Sequence, residues 1–382
     1  MTSLKVEIVG IDTLGEPEWA AWRAMLAANP ALVSPYFQPG FSQVAGRVSP
    51  NAAVAVFSRG GDIIGFFPHQ RRGGAVQPLA APMNDYHGVI ARPGQGPSLE
   101  EVARLLDARR LNLTAWVGET GLGEDRRTVQ VELGDEGYDA WYAGRRASHG
   151  KFFKDKERAR RSMEAELGPV RVERGLRDAA LLDWLIDLKR VQYRRTGRHD
   201  IFACGWTTEL LHALLAAEGD DFGASMAGLW AGDRLTAVEY SLHGGDQYHF
   251  WFPGYEPSLS RCSPGILLSL DTMRLAADDG YRTFDFGFEG EHYKKYFCND
   301  FRVVREALVL RPGLGSSVSQ AAVGAINLAG GGRGERLRAS VRRRWAAIEA
   351  CETTPGARMR GAMQAAGAAI AKVRPSGARV PA

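Results

Sequence analysis

Between Ser263 and Asn299 the chain sets a helix start, a strand and a cluster of ionisable residues side by side, so chemistry is expected here. Ser263 is placed to cap a helix with Pro264 in its first turn. Ile266, Leu267, Leu270, Met273 and Leu275 then follow helical spacing until Gly280 stops it. The free N–H groups and positive end of such a helix suit an anion, a pyrophosphate or the oxygen of an acyl donor. Next, Phe284, Phe286 and Phe288 alternate with Asp285, Gly287 and Glu289, the period of a strand with one apolar face and one face carrying carboxylates. Glu291, His292, Tyr293, Lys294, Lys295 and Tyr296 follow at once, offering a base, an acid and a cation to one ligand.

A second carboxylate stands upstream. In the strand expected over 235–243, Val238, Tyr240 and Leu242 share one face and leave Glu239 on the other with Ala237 and Ser241. Whether Glu239 meets His249 depends on the turn between their strands. A two-residue Gly244-Gly245 loop sets Glu239 opposite Phe250, whereas a three-residue loop including Asp246 puts Glu239 and His249 on one face, and the second register is the one expected.

The elements needed to position these residues recur in the same order twice. The first half reads as a strand at 5–9, helices at 16–28 and 37–45, strands at 52–57, 63–68 and 75–80, a helix opened by the capping box Ser98-Leu99-Glu100-Glu101, and a strand at 111–117. The second reads as a strand at 170–173, helices at 178–194 and 207–217, strands at 224–230, 235–243 and 247–252, the helix after Ser263, and a strand at 283–286. A final strand over 303–310 is expected to close that module. In the first half, Asp85, Tyr86 and His87 follow a strand and are placed to face a cleft between modules, where Tyr86 and Tyr255 could stack on a polyol.

Strand, two helices, three antiparallel strands, helix, strand is the element order of the GNAT acyltransferase fold. Residues 150–311 resemble the C-terminal module of the CelD/BcsL-type acetyltransferases, themselves similar to the FemAB group, through Tyr255 in its Gly-Tyr-Glu-Pro turn, Ser263-Pro264-Gly265, Phe284-Asp285-Phe286-Gly287 and Tyr293-Lys294. The resemblance implies an α/β (α+β) fold of two tandem GNAT-like modules, each a mixed, mostly antiparallel sheet flanked by helices, over 1–145 and 146–312. It further implies acyl transfer, without a metal, to an amine or hydroxyl, commonly on a sugar or lipid-linked saccharide of an exported polysaccharide. With the Ala/Arg/Gly-rich, alphaproteobacterial-looking composition, an adhesive or holdfast-type polymer is expected.

Under that resemblance Asp285 orients or deprotonates the acceptor and Lys294 stabilises negative charge on the donor or tetrahedral intermediate. Glu239 and His249 are the further catalytic candidates, and Tyr293 joins Asp85, Tyr86, His87 and Tyr255 as acceptor-binding candidates. Arg261, Ser263, Pro264, Gly265 and Ile266 occupy the place of the pyrophosphate motif, of which only the Arg and one offset Gly survive. Acetyl or another acyl coenzyme A is the first donor expected, then acyl carrier protein, then aminoacyl-tRNA. A degenerate fold acting as a binding or regulatory module is the competing class.

Composition sets the outer limits. The 382 residues are 45% hydrophobic and 24% charged, enough for two or three cored domains, and four scattered cysteines show no Cys-x-x-Cys spacing. No run of about 20 apolar residues and no basic-then-apolar start signal a membrane span or export, so the cytoplasm is the expected compartment. Charge is uneven: 331–382 holds 11 Lys/Arg against 3 Asp/Glu, so with a chain total of +4 the preceding residues carry −4. Within 313–382 a Gly-rich linker leads to Leu337, Val341, Trp345 and Ile348 at helical spacing among Arg336, Arg338, Arg342, Arg343 and Arg344. Such a basic amphipathic helix can lie on an anionic membrane or dock on the protein body. Arg338-x-x-x-Arg342 also resembles the element with which PilZ-type receptors grip cyclic di-GMP, while nothing calls for DNA.

Overall fold

The computed structural model describes residues 3–217, 219, 221–311 and 341–373, the last nine by backbone alone. In chain order the elements are β1 (Leu4–Val9), α1 (Glu16–Ala28), α2 (Pro39–Val48), β2 (Ala52–Arg59), β3 (Asp62–Arg72), β4 (Ala75–Pro78), α3 (Leu99–Leu105), β5 (Arg110–Trp116) and β6 (Glu124–Glu132). Two joining helices follow, α4 (Gly137–Ser148) and α5 (Gly150–Leu167). Then come β7 (Val170–Leu176), α6 (Ala179–Thr196), α7 (Trp206–Ala216), β8 (Gly223–Ala231), β9 (Arg234–Gly244), β10 (Gln247–Tyr255), α8 (Pro264–Asp278), β11 (Thr283–Phe288), α9 (Lys294–Phe297) and β12 (Asp300–Leu310). Helices α10 (341–351) and α11 (Pro355–Val373) end the described chain.

Local chemistry explains several boundaries. Ser98 and Glu101 exchange hydrogen bonds with each other's backbone N–H in the expected capping box of α3. Asp178 accepts from the N–H groups of Ala180 and Leu181 to start α6, and Gly197 ends it in the left-handed region at φ 65°.

The twelve strands among the described residues form one sheet, in the order β1-β2-β3-β4-β5-β12-β6-β11-β10-β9-β8-β7. Read from either end the order is the same, except that the last strands of the two halves have changed places. β12, expected to close its own half, instead pairs antiparallel with β5 of the first half and with β6. β6, which periodicity did not predict, pairs with β11 of the second half. The exchange makes the two halves a single body at their backbones.

Helices cover both faces. Trp22 of α1, Phe41 of α2, Leu182 and Leu185 of α6 and Leu210 of α7 share one buried cluster. On the opposite face α3 contributes Leu99 and Val102, while α4, α5 and α8 contribute Trp141, Phe153 and Met273. Among the described residues, no helix is long and apolar enough to cross a membrane.

Helix α10 docks on the body. Ile348, Glu349, Ala350 and Cys351 are buried, Glu349 pairs with Arg110, and the Arg72 guanidinium donates to the Ala350 carbonyl at 3.1 Å. Arg342 and Arg343 reach the Glu306 carboxylate on β12 at 2.6 and 3.1 Å. Arg344 also has interaction partners within the chain, and Arg338 and the Gly-rich linker lie outside the described residues.

Candidate active site

The sheet comes apart at one place in the second half. β10 and β11 run parallel and pair only over three rungs, Gln247 with Thr283, Tyr248 with Phe284 and His249 with Asp285. Past that point β10 stays on β9, with a bulge between Phe250 and Phe252, while β11 stays on β6. The edge of β10 facing the gap therefore carries backbone N–H and C=O groups without a strand partner.

A crevice of about 570 Å³ occupies this split. Trp251, Gly254 and Tyr255 of β10 line one wall and Phe286 of β11 the other. Lys189, Gln192 and Tyr193 of α6 cover one mouth, and Ser263, Gly265 and Ile266 bring in the start of α8. Ser263 holds the N-cap position in the left-handed conformation, φ 52°, and its side chain does not cap the helix as expected; instead its Oγ accepts from Lys156 Nζ of α5 at 2.8 Å. Pro264 has no N–H, so the Gly265 N–H is the foremost donor of the helix. A helix N-terminus and a strand edge without a strand partner among the described residues thus face one cavity.

Glu239 also lines the crevice. Its carboxyl accepts from the hydroxyls of Ser241 at 3.2 Å and Ser269 at 3.1 Å, and it is 1% exposed. Burial lifts its pKa to about 8 against the effect of the two hydroxyls. Lys294 lies nearby with its ammonium held by the Phe288 carbonyl at 2.7 Å and the Glu291 carboxylate at 2.7 Å. Burial brings Lys189 down to about 8, opposed by Glu291. Glu291, expected in the ionisable cluster after β11, does line the crevice, whereas Lys189 was not expected: on an amphipathic helix a lysine reads as solvated, and only the packing of α6 over the split turns it inward.

Asp285 does not join this group. The alternation of β11 sends Phe284 and Phe286 toward α8 and Asp285 to the opposite face, so the convergence of Ser263, Asp285 and Lys294 expected from sequence does not occur. Asp285 accepts from the Gly287 N–H at 2.7 Å and sits 3.6 Å from His249 Nδ1 and 3.9 Å from Arg302. Burial would raise it, but charged His249 and Arg302 hold it well below the usual carboxylate range.

His249 is likewise corrected. The loop between β9 and β10 has two residues, Gly245 at φ 58° and Asp246, so Gly244 pairs with Gln247 and His249 with Leu242. His249 therefore faces away from Glu239, toward Asp85, whose carboxylate is 3.2 Å from its Nε2. Burial acts to lower its pKa, and Asp285 and Asp85 outweigh that and raise it to about 9.

The remaining expectations divide in the same way. Tyr255 and Tyr293 line the crevice, Tyr255 being 44% exposed. Arg261 pairs with Glu166 on the surface, Pro264 is buried in α8, and neither lines the crevice. Tyr86 and His87 are buried rather than facing an acceptor, Tyr86 against His249 and Arg302 of the second half. His87 Nε2 accepts the N–H groups of Thr114 and Ala115, both at 3.0 Å, and burial drives its pKa down to about 3. A Cβ on the next residue, Gly88, would lie 2.4 Å from the Val117 carbonyl oxygen, so the segment fits only with glycine there.

Comparison with known proteins bears on the same half. Residues 150–295 match the family described as acetyltransferase (GNAT) domain. No curated protein matches the sequence. Among solved structures, FemX is 11% identical with a TM-score of 0.48, covering 79% of this chain and 96% of that one. A tandem GNAT protein from the clavulanic acid biosynthesis pathway is 10% identical, with a TM-score of 0.44 over 80% and 97%. L-PGS from Bacillus licheniformis is 12% identical, with a TM-score of 0.43 over 81% and 95%. Residues 150–295 of the second half thus match a GNAT domain, and the mirrored strand order gives the chain two halves of like topology.

Proposed function

We propose that the protein transfers an acetyl or other acyl group from acyl-coenzyme A to an amine or hydroxyl of a sugar destined for a surface polysaccharide. The observation that carries this reading is the split between β10 and β11, opened after three rungs and leading to the start of α8. The residues present fit the donor. The start of α8, with Gly265 as its foremost N–H, offers the positive end of a helix to a pyrophosphate, and the edge of β10 offers hydrogen bonds to an amide-bearing arm.

Bound acyl-coenzyme A would supply the thioester. The chain supplies position, a proton acceptor and charge. Glu239, raised to about 8 by burial, is matched to taking a proton from an attacking ammonium near neutral pH. Lys294, held by the Phe288 carbonyl and Glu291, is fixed at the crevice wall to face negative charge developing on the carbonyl oxygen. Trp251, Tyr193, Tyr255 and Tyr293 give apolar surfaces for a sugar ring.

The test is release of free coenzyme A thiol when the full chain meets acetyl-coenzyme A and a panel of amino sugars. Turnover that requires an amino sugar and is lost in Glu239→Gln supports the reading. Absence of turnover with every acceptor, together with no binding of acetyl-coenzyme A, overturns it.

A further inference from the structure

Two cysteines distant in sequence meet where α10 packs on the loop ahead of α7. Cys204 precedes α7 by two residues and Cys351 is the last residue of α10. The Ile201 carbonyl oxygen lies 3.2 Å from Cys204 Sγ and 3.8 Å from Cys351 Sγ, so the two thiols share one acceptor. Backbone contacts hold the pair in place: the Trp206 indole donates to the Cys351 carbonyl at 3.1 Å, and Arg72 donates to Ala350 next to it.

The two sulfurs are not equivalent. Cys204 is half-buried, stands at the N-terminal end of the 11-residue α7, and lies 3.4 Å from the Thr207 hydroxyl. The neighbouring Cys351 thiol and the hydrogen bonds from Thr207 lower its pKa against the effect of burial. Cys351 is buried, and the Cys204 thiol together with burial pushes it up. The Arg72 guanidinium bears on both. A partly accessible, thiolate-prone sulfur beside a protected second thiol is the arrangement that hydroperoxides convert to a disulfide.

We propose that Cys204 and Cys351 form a peroxide-responsive dithiol whose oxidation joins α10 covalently to the loop ahead of α7. In the first step the Cys204 thiolate attacks the O–O bond of a hydroperoxide, forming a sulfenic acid and releasing an alkoxide (hydroxide from hydrogen peroxide) that takes up a proton. In the second, Cys351 gives up its proton and attacks the Cys204 sulfur; the S–S bond forms and the sulfenic hydroxyl leaves as water. Two thiols and one hydroperoxide become one disulfide, one alcohol or water, and one further water. Attachment of α10, held in the reduced protein by ion pairs of Glu349 with Arg110 and of Arg342 and Arg343 with Glu306, becomes independent of salt.

The experiment treats the reduced full chain with hydrogen peroxide, blocks remaining thiols with an alkylating agent and maps tryptic peptides by mass. Expected is loss of two of the four thiols and a species joining peptides 199–234 and 345–358, lighter than their sum by two hydrogen atoms. Cys351→Ala then leaves a dimedone-trappable sulfenic acid on Cys204. Retention of four free thiols overturns the proposal. So does sulfinic acid on Cys204 with 345–358 unlinked, or a disulfide from Cys204 to Cys262 or Cys298.

Discussion

Each half of the sheet has a parallel strand pair that separates, and the two gaps have opposite contents. In the first half β4 and β5 share two rungs, Ala75 with Arg110 and Val76 with Leu111, and β4 then ends. The chain itself returns into the gap: Ile90 bridges to Phe66 of β3, His87 bridges to Trp116 of β5, and Met83, Tyr86 and Ile90 are fully buried there. In the second half β10 runs on to Tyr255 and the gap beside it stays open. One gap is packed as core, and the other is left as a cavity with a buried carboxyl and two lysines on its walls. The same element order therefore gives a supporting half and a half equipped for chemistry, and the difference lies in where the chain goes after the fourth strand.

The largest effect that would sharpen this contrast is at Glu239. Replacing it by Gln is expected to lower kcat by about 10²–10⁴-fold with little change in fold. In the parent protein kcat/KM is expected to rise with pH through about 8, because Glu239 must lose its proton to act as the base. That limb vanishes in the variant. The raised pKa also means that stability owed to the protonated carboxyl is full below the usual carboxylate range and is lost as pH rises through about 8. Denaturation of the Gln variant should lack that dependence.

His249→Gln comes next, and here stability should change before chemistry. It leaves Asp285 buried with only Arg302 at 3.9 Å for countercharge, an expected cost of about 3–5 kcal/mol in chemical denaturation. In the parent protein the share held by His249 is full below the ordinary imidazole value and is lost as pH rises through about 9. The share held by Asp285, whose pKa is depressed, is present above the ordinary carboxylate value and is lost as pH falls.

His87→Ala probes the filled gap directly. It strands the N–H groups of Thr114 and Ala115, at about 1–3 kcal/mol for each donor left unpaired, while KM for the donor stays unchanged in the folded protein. A changed KM would place ligand in the first half. The smallest effect is expected for Arg343→Ala, about 1 kcal/mol or less, since Glu306 keeps Arg342 at 2.6 Å and Arg126 at 3.8 Å.

Much of this was legible because local rules and tertiary packing agree. The boundaries of α1, the capping box of α3 and the face on which Glu239 stands all follow from spacing. β6 escaped because Glu124, Asp125, Arg126 and Arg127 hide any alternation, and its place between β12 and β11 is decided by the exchange of strands. His249 went to the wrong face because the β9–β10 loop begins at Gly245 rather than Gly244, and one residue of slip turns every side chain over. Asp285 was placed with Lys294 because both lie on the motifs that carry the family resemblance, close together in sequence, and strand alternation sends it to the other face.

The most direct test of the contrast between the halves is hydrogen–deuterium exchange of the full chain with and without saturating acetyl-coenzyme A. Slower exchange in 250–255 and 263–270, with 83–90 unchanged, is the predicted result. Protection confined to 83–90, or none at the start of α8, would contradict it.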